Sequence, residues 1–198
     1  MELFSVRPME ESDLEVVMYL ENTCFVAPWG LRELNYEINE NPVSSLWVIE
    51  SSAHGVVGFV DYWITFDSAT ICQICVNPLF RKRGLGSQLL IEVIKDCRAN
   101  RVNNITLEVR EHNESAIKLY EKHGFKKVLI KEKYYTNGDN AIYMIKEMRE
   151  AYQWLKYWQS NQAVTKRLLR LLKTATSFPI SFPLKLMFIV NTVVLCLR

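Results

Sequence analysis

The stretch Ile71–Gly86, ICQICVNPLFRKRGLG, constrains the fold of this chain more than any other. An apolar run ends at Asn77-Pro78, a basic loop follows at 81–83, and the Gly-Leu-Gly at 84–86 opens a segment whose apolar residues recur at helical spacing. The order is therefore a strand, a loop and the N-terminus of a helix. Glycines let a ligand approach the backbone, and the unpaired N–H groups of a first helical turn attract phosphate. The stretch predicts a cradle for a pyrophosphate group.

The spacing of this cradle is neither the dinucleotide fingerprint nor a P-loop, and by itself it is equally compatible with an ordinary strand-to-helix turn. In a cradle, the pyrophosphate would be bound by the backbone N–H groups of residues 82–87, and two arginines would add positive charge. The residues of this candidate site are Arg81, Lys82, Arg83, Gly84, Leu85, Gly86 and Ser87.

The whole chain up to residue 148 alternates strand and helix signals in the order βααβββαβαββ, which predicts an α/β fold with a mixed central sheet. The predicted strands are Leu3–Pro8, Ser45–Glu50, Val56–Thr65, Ala69–Val76, Ile105–Val109, Phe125–Ile130 and Ala141–Lys146. The predicted helices are one that begins at Leu14 and is broken at Ala27, then Leu31–Asn39, Gly84–Asn100 and Asn113–Lys122. The strand after the long third helix should pair parallel to the strand before it, through a right-handed crossover.

Charge divides the chain into two parts. Up to Met148 there are 16 Lys and Arg against 21 Asp and Glu, and beyond it 8 against 1. We therefore expect a domain at 1–148 and a separate extension at 149–198. An acidic domain suits a cationic substrate, and a basic extension suits an anionic surface, although ordinary solvated faces would give the same imbalance.

The extension 149–198 has apolar residues at helical spacing with basic residues between them, followed by a break that contains two prolines. Its last apolar stretch, 184–197, is too short to span a bilayer comfortably. Three interpretations stay open: a helical extension packed on the domain, a basic amphipathic anchor on a membrane surface, or an arm that docks on a ribosome or RNA.

The cysteines indicate a reducing, cytoplasmic setting. Their number, five, is odd, and the N-terminus lacks the layout of a secretory signal. Cys72 and Cys75 have the spacing of a metal or redox motif, but residues three apart on a strand point to opposite faces, and no second Cys or His pair lies nearby. We expect buried thiols at these positions and no metal site.

Glu108 is the first candidate catalytic residue. It lies near the end of the strand Ile105–Val109, at the carboxyl edge where open α/β sheets bind ligands. A carboxylate at this edge can act as a general base on a substrate amine, directly or through a water molecule. The alternative is a rim carboxylate paired with Arg110 or with a lysine.

Tyr120 is the second candidate. Asn113 and Tyr120 are seven residues apart on the predicted fourth helix, so they share one face and could contact one extended ligand at two points. A tyrosine hydroxyl can donate a proton to a leaving group. The alternative role of Tyr120 is an apolar ring in the core with a hydrogen-bonded hydroxyl.

Together, the cradle, Glu108, Asn113 and Tyr120 resemble the GCN5-related N-acetyltransferase (GNAT) superfamily, and within it the RimI-like ribosomal-protein-alanine N-acetyltransferases. The resemblance covers residues 1–148 and implies the GNAT fold, with acetyl-CoA as co-substrate. It implies that Asn113 contacts the pantetheine arm and that Tyr120 protonates the departing thiolate. It also implies that a strand backbone lines the pantetheine and that Val76 N–H binds the developing oxyanion; the lining residues are Ile74, Cys75 and Val76.

The same resemblance implies a substrate site between two aromatic segments, Pro28-Trp29 on the loop between the first two helices and Tyr134-Tyr135 on the closing hairpin. Both pairs could equally be anchoring rings. The chain departs from the family pattern at Ala27 and Gly30, which concerns peptide preference rather than the coenzyme site.

The implied activity is transfer of acetyl to the N-terminal α-amino group of a protein, a ribosomal protein being the first candidate, by direct attack in a ternary complex. Two alternatives stay open. One is acetylation of another amine, such as a protein lysine or a polyamine. The other is a non-catalytic acyl-CoA-binding or membrane-tethered interaction module.

Overall fold

The computed structural model describes residues 2–148, which form a seven-stranded mixed sheet covered by four helices. The strands are β1 (Phe4–Pro8), β2 (Ser44–Ser51), β3 (Gly55–Thr65), β4 (Ser68–Val76), β5 (Asn104–Arg110), β6 (Lys126–Lys131) and β7 (Ala141–Glu147). The helices are α1 (Leu14–Cys24), α2 (Leu31–Asn39), α3 (Leu85–Ala99) and α4 (Glu114–Lys122). The strand order in the sheet is β1-β2-β3-β4-β5-β7-β6.

The predicted order of elements is confirmed, because each periodic segment of the sequence forms the element that its period indicates. The parallel pairing across α3 is confirmed as well, since β4 and β5 are the parallel neighbours of the sheet. The predicted extension at 149–198, with its expected helices and its contacts to a membrane or ribosome, lies outside the described residues.

Alternation of side chains along the strands gives the sheet two apolar faces. In β2, Val48 joins one core with residues of α1 and α2, whereas its neighbour Ile49 joins the other with residues of α3 and α4. The α1 and α2 core has Val17, Leu20 and Leu34 at its centre, all fully buried. The α3 and α4 core is larger and extends across the strands from β2 to β7.

The parallel strands β4 and β5 separate halfway along their length. Residues Ser68–Ile71 pair with Asn104–Leu107, but beyond this point β4 is paired only with β3, and β5 only with β7. The register between β3 and β4 shifts at the same place and leaves Cys72 without a partner residue. Such a bulge bends a strand and increases its twist. An opening therefore lies between the carboxyl halves of β4 and β5.

The cysteines correct one expectation. Cys24, at the end of α1, and Cys75, on β4, are joined by a disulfide with their Cα atoms 6.4 Å apart. The prediction of a buried thiol at Cys75 is therefore wrong, because α1 crosses the face of β4 on which this side chain lies. Cys72 and Cys97 are thiols, and burial raises the pKa of each.

Within residues 2–148, no three His, Cys, Asp or Glu side chains are grouped so that they could share a metal ion. Over the same residues, no helix has both the length and the apolar composition needed to cross a membrane.

Candidate active site

The predicted cradle lies between β4 and α3. Asn77 Oδ1 accepts a hydrogen bond from Leu79 N–H (3.0 Å) and begins a short 3-10 turn. The backbone then enters the left-handed region at Lys82 (φ 62°) and Gly84 (φ 81°). The N–H of Gln88 donates to the carbonyl of Gly84 (3.1 Å), so the three preceding N–H groups have no partner within α3. These groups, at residues 85–87, are the ones that an anion would contact.

Gly86 is the point of closest packing in the cradle. A Cβ atom at this position would lie 3.3 Å from Leu119 Cδ2 of α4 and 4.0 Å from Val76 Cγ2 of β4. The absence of a side chain therefore lets the first turn of α3 approach both elements, which brings the cradle to the edge of the opening.

The two arginines of the cradle hold its loop in place. Arg81 Nε donates to the carbonyl of Val76 (3.0 Å), at the last residue of β4. Arg83 pairs with Glu2 (2.8 Å) and lies 5.1 Å from the ring centroid of Phe80. Arg83 is thus partly neutralised within the domain, whereas Arg81 brings its charge to the end of the strand.

Backbone groups of β4 face the opening at alternate residues. The N–H of Asn77 donates to the carbonyl of Val57 in β3 (2.8 Å). Because successive backbone groups along an antiparallel strand point in opposite directions, the N–H groups of Val76 and Ile74 point away from β3, toward the opening. The backbone of Cys75 points toward β3, so Cys75 is less suited than its two neighbours to line a ligand there.

Glu108 is the first residue of β5 beyond the pairing with β4. Its neighbours Leu107 and Val109 belong to the α3 and α4 core, so alternation places Glu108 on the opposite face of the sheet. Its Oε1 accepts a hydrogen bond from Lys131 Nζ at 2.7 Å. The lysine pairing considered from sequence is therefore present, while Arg110 pairs with another residue, Asp139 (2.6 Å).

Tyr120 lies on the other face of the sheet from Glu108. It is buried in the α3 and α4 core, where its ring centroid lies 5.8 Å from that of Phe125. Burial, with a smaller effect from Tyr135, raises the pKa of Tyr120, so its hydroxyl is protonated at neutral pH. The pKa of Tyr135 is also raised mainly by burial, and Glu108 adds to this effect. Tyr135 therefore lies within electrostatic range of both candidate catalytic groups.

Asn113 is the N-cap of α4 rather than its first helical residue. Its Oδ1 accepts hydrogen bonds from the N–H of Ala116 (3.2 Å) and the hydroxyl of Ser115 (3.1 Å). Capping fixes the orientation of the side-chain amide. The Nδ2 group is the part of Asn113 left to contact a ligand.

The loop with Pro28 and Trp29 connects α1 to α2, and two carboxylates accept hydrogen bonds from its backbone. The N–H of Trp29 donates to Glu21 Oε2 (3.0 Å), and the N–H of Gly30 donates to Glu33 Oε2 (3.1 Å). Gly30 has no side chain to cap α2, and the carboxylate of Glu33 satisfies one of the free backbone groups instead.

Tyr134 and Tyr135 lie on the turn between β6 and β7. Their rings meet edge to face, with centroids 5.2 Å apart, and the guanidinium of Arg110 lies 3.9 Å from the Tyr135 ring centroid. Gly138 N–H closes the turn on the carbonyl of Tyr135 (2.8 Å). The hairpin therefore brings both rings to the Glu108 side of the sheet, because Arg110 and Glu108 share one face of β5.

A cluster of buried polar groups beneath the α1–α2 loop was missed from the sequence. Glu21 and Asp61 are fully buried, and burial raises the pKa of each carboxyl to about 7; Glu37 contributes further at Asp61. Gln73 Nε2 donates to Glu21 Oε2 (3.3 Å). Three oxygens have no hydrogen-bond partner among residues 2–148: Glu21 Oε1, Asp61 Oδ2 and Gln73 Oε1. The signal was a glutamate on the apolar stripe of α1 and an aspartate inside an apolar strand.

Comparison with known proteins places the chain in a family. The acetyltransferase (GNAT) family model matches residues 14–125, more than half of the chain. A Bacillus subtilis protein provisionally named ribosomal protein bS18-alanine N-acetyltransferase is 34% identical over 141 residues, covering 71% of this chain and 93% of that protein. The ribosomal protein bS18-alanine N-acetyltransferase of Escherichia coli K12 is 28% identical over 144 residues, covering 68% and 89%.

Solved structures agree with the sequence comparisons. The crystal structure of the ribosomal-protein-S18-alanine N-acetyltransferase from Escherichia coli has a TM-score of 0.68 and 27% identity, covering 74% of this chain and 94% of that chain. The structure of Ard1 from Thermoplasma volcanium has a TM-score of 0.66 and 27% identity, with coverage of 74% and 99%. The chain therefore belongs to the GNAT acetyltransferase family and is an acetyl-CoA-dependent N-acetyltransferase.

Proposed function

We propose that this enzyme transfers the acetyl group of acetyl-CoA to the N-terminal α-amino group of a protein, by direct attack in a ternary complex. The observation that carries the proposal is the opening between β4 and β5. Glu108 is the first residue of β5 in this opening, and the N–H of Val76, which points away from β3, lies on its other edge. An amine acceptor and an acyl donor could meet there from opposite faces of the sheet.

The residues around the opening fit acetyl-CoA. The left-handed backbone at Gly84 and the N–H groups at 85–87, which have no partner within α3, suit a pyrophosphate. The absence of a side chain at Gly86 brings this first turn of α3 close to β4 and α4. The backbone of Ile74 and the N–H of Val76, which point away from β3, suit the amides of a pantetheine arm. When bound, acetyl-CoA would supply an activated acetyl thioester.

Three groups of the chain would then act in the reaction, as base, as oxyanion donor and as acid. Glu108 would accept the proton that the attacking amine loses, directly or through one water molecule. The N–H of Val76 would donate to the carbonyl oxygen as negative charge develops on it. Tyr120, whose hydroxyl keeps its proton at neutral pH, would donate that proton to the departing sulfur.

A single carboxylate base suits an α-amine better than a side-chain amine. An α-amino group has a pKa near about 8, whereas a lysine side chain has one near about 10.4. At about 1.4 kcal/mol per pKa unit, deprotonation at neutral pH costs roughly 1 kcal/mol for the first and more than about 4 kcal/mol for the second. One modest base would be sufficient for an N-terminus.

The names of the relatives suggest the first acceptor. Proteins similar to this chain over 68% to 71% of its length are named as ribosomal protein bS18-alanine N-acetyltransferases. We propose an alanine at the N-terminus of this ribosomal protein as the first acceptor.

The proposal is tested by acetyl transfer to three acceptors: an alanine-initiated peptide with the bS18 N-terminal sequence, the same peptide with a blocked N-terminus and an added lysine, and spermidine. Mass spectrometry should find acetyl mainly on the free N-terminus, with much slower transfer to the other two acceptors. Transfer only to the lysine peptide or to spermidine would contradict the proposal and favour acetylation of another amine.

A further inference from the structure

The ammonium group of Lys131 lies in a small cation cage at the acceptor side of the opening. Its Nζ is 2.7 Å from Glu108 Oε1 and 5.1 Å from the ring centroids of both Tyr134 and Tyr143. A carboxylate together with two aromatic faces is a favourable environment for an ammonium ion. The carboxylate of this cage, Glu108, is the group that the proposed function assigns to the acceptor amine.

The sheet register explains how Lys131 reaches Glu108. Lys131 of β6 lies opposite Ala141 of β7, and Glu108 of β5 lies opposite Tyr143 of β7. The small side chain of Ala141 leaves room for the lysine to extend diagonally across β7 to the carboxylate.

Arg110 is a second cation on the same face of β5, two residues from Glu108. Its guanidinium is bound by Asp139 (2.6 Å) and stacks on the ring of Tyr135 (3.9 Å). Asp139 and Tyr135 thus hold Arg110 away from Glu108. Within residues 2–148, the cation that the structure pairs with Glu108 is Lys131.

This neighbour acts differently on different acceptors. The hydrogen bond from Lys131 to Glu108 is the main reason why the pKa of Lys131 is raised, so the lysine is charged at every pH at which the enzyme would work. An α-amine with a pKa near about 8 is substantially neutral at slightly alkaline pH and can approach Lys131 without repulsion. A lysine side chain or a polyamine, with a pKa near about 10.4, would bring a second positive charge to a single carboxylate.

We propose that Lys131 is a specificity-determining residue, which favours uncharged α-amines over cationic side-chain amines and polyamines as acceptors. The inference rests on the proposed function, in which Glu108 receives the acceptor amine. The choice of acceptor would then depend on the charge beside Glu108, in addition to the shape of the two aromatic segments of the candidate substrate site.

The test compares kcat/KM for the alanine-initiated peptide, the N-terminally blocked lysine peptide and spermidine in the wild type and in Lys131→Met. The variant keeps the aliphatic stem and removes the charge. We expect the preference for the α-amine over spermidine to fall by roughly 30-fold, mainly through a lower KM for spermidine, because like-charge repulsion is lost. Lys131→Arg should keep the preference of the wild type.

Lys127→Met is the matched control. Lys127 lies on the same strand and pairs with Glu121 of α4 (3.3 Å), away from Glu108. The Lys127→Met substitution removes the same charge from β6, and it should leave the ratios of kcat/KM among the three acceptors unchanged. Thermal unfolding of all variants checks that they are folded.

The outcomes separate the inference from the proposed function. An unchanged acceptor ratio in folded Lys131→Met would overturn the inference, and so would an equal loss of activity toward all three acceptors, which would make Lys131 a support for Glu108 only. A wild type that acetylates no α-amine would overturn the proposed function instead, whatever the variant does.

Discussion

At the scale of single residues, the two candidate catalytic side chains differ in environment. Glu108 is partly exposed, with 21% of its side chain accessible, and is paired with Lys131. Tyr120 is almost entirely enclosed in the core. A partly exposed carboxylate can exchange protons with water, whereas burial of the phenol raises its pKa and keeps it protonated at neutral pH.

The role of Glu108 as a base predicts a pH-dependent defect. In Glu108→Gln, kcat/KM for the alanine-initiated peptide should fall roughly 100-fold near pH 7 and much less near pH 9, because the α-amine is already neutral there. Glu111→Gln is the control, because Glu111 bonds to Asn140 (3.0 Å) beyond the end of β5. An equal loss at both pH values would contradict a role as base.

The role of Tyr120 as an acid predicts a loss of rate without a loss of stability. Tyr120→Phe keeps the packing against Phe125 and should slow transfer roughly tenfold or more, while changing the free energy of unfolding by less than about 1 kcal/mol. Kinetics and urea unfolding are the measurements.

Tyr62→Phe should behave in the opposite way. The hydroxyl of Tyr62 donates to Asp96 (2.6 Å) and accepts from Trp47 (3.1 Å), both away from the opening. Its removal should cost about 1–3 kcal/mol of stability and leave kcat unchanged. A stability loss in Tyr120→Phe as large as in Tyr62→Phe would indicate a structural role for Tyr120.

At the scale of elements, the cradle depends on the turn that leads from β4 into α3. Gly84 adopts a left-handed conformation with nothing within 4 Å of a Cβ at that position, so conformation and not space requires glycine there. Gly86 has the opposite requirement, since its neighbours leave little room for a side chain. The two glycines therefore serve the cradle for different physical reasons.

Gly84→Ala should cost about 1–2 kcal/mol of stability, because an L-residue is strained at positive φ, and it should weaken acetyl-CoA binding by displacing the N–H groups of α3. Gly55→Ala is the matched control, with a similar φ of 67° and equally open surroundings at the first residue of β3. It should lose the same stability and bind acetyl-CoA normally, as measured by calorimetry. Equal binding by both variants would contradict the cradle.

At the scale of the whole molecule, α1, α2, β3 and β4 each contribute one buried polar side chain beneath the loop with Trp29: Glu21, Glu37, Asp61 and Gln73. Burial raises the pKa of Asp61 to about 7, so the folded protein retains a proton that the unfolded chain has released. Stability should therefore fall as the pH rises from about 4 to about 7 and change little above that range.

Asp61→Asn removes this ionisation and keeps an oxygen that can accept the hydrogen bond from Ser44 (3.1 Å). The difference in free energy of unfolding between the variant and the wild type should increase by about 2 kcal/mol, in favour of the variant, when the pH is raised from about 5 to about 8. Urea unfolding at the two pH values measures the gain. Asp67→Asn, in the exposed turn after β3, is the control, and a gain that does not depend on pH would rule out the ionisation.

The sequence by itself determined the order of elements, the strand, loop and helix of the predicted cradle, and the elements on which Glu108, Asn113 and Tyr120 lie. All of these lie in continuous segments, where periodicity, turn residues and short spacings are sufficient to predict the local structure. Only the tertiary structure decided which distant residues meet: Cys24 with Cys75, Lys131 with Glu108, and Glu21 with Gln73. These contacts depend on sheet register and on how a helix crosses the sheet, and both are set by the packing of the whole domain rather than by local sequence.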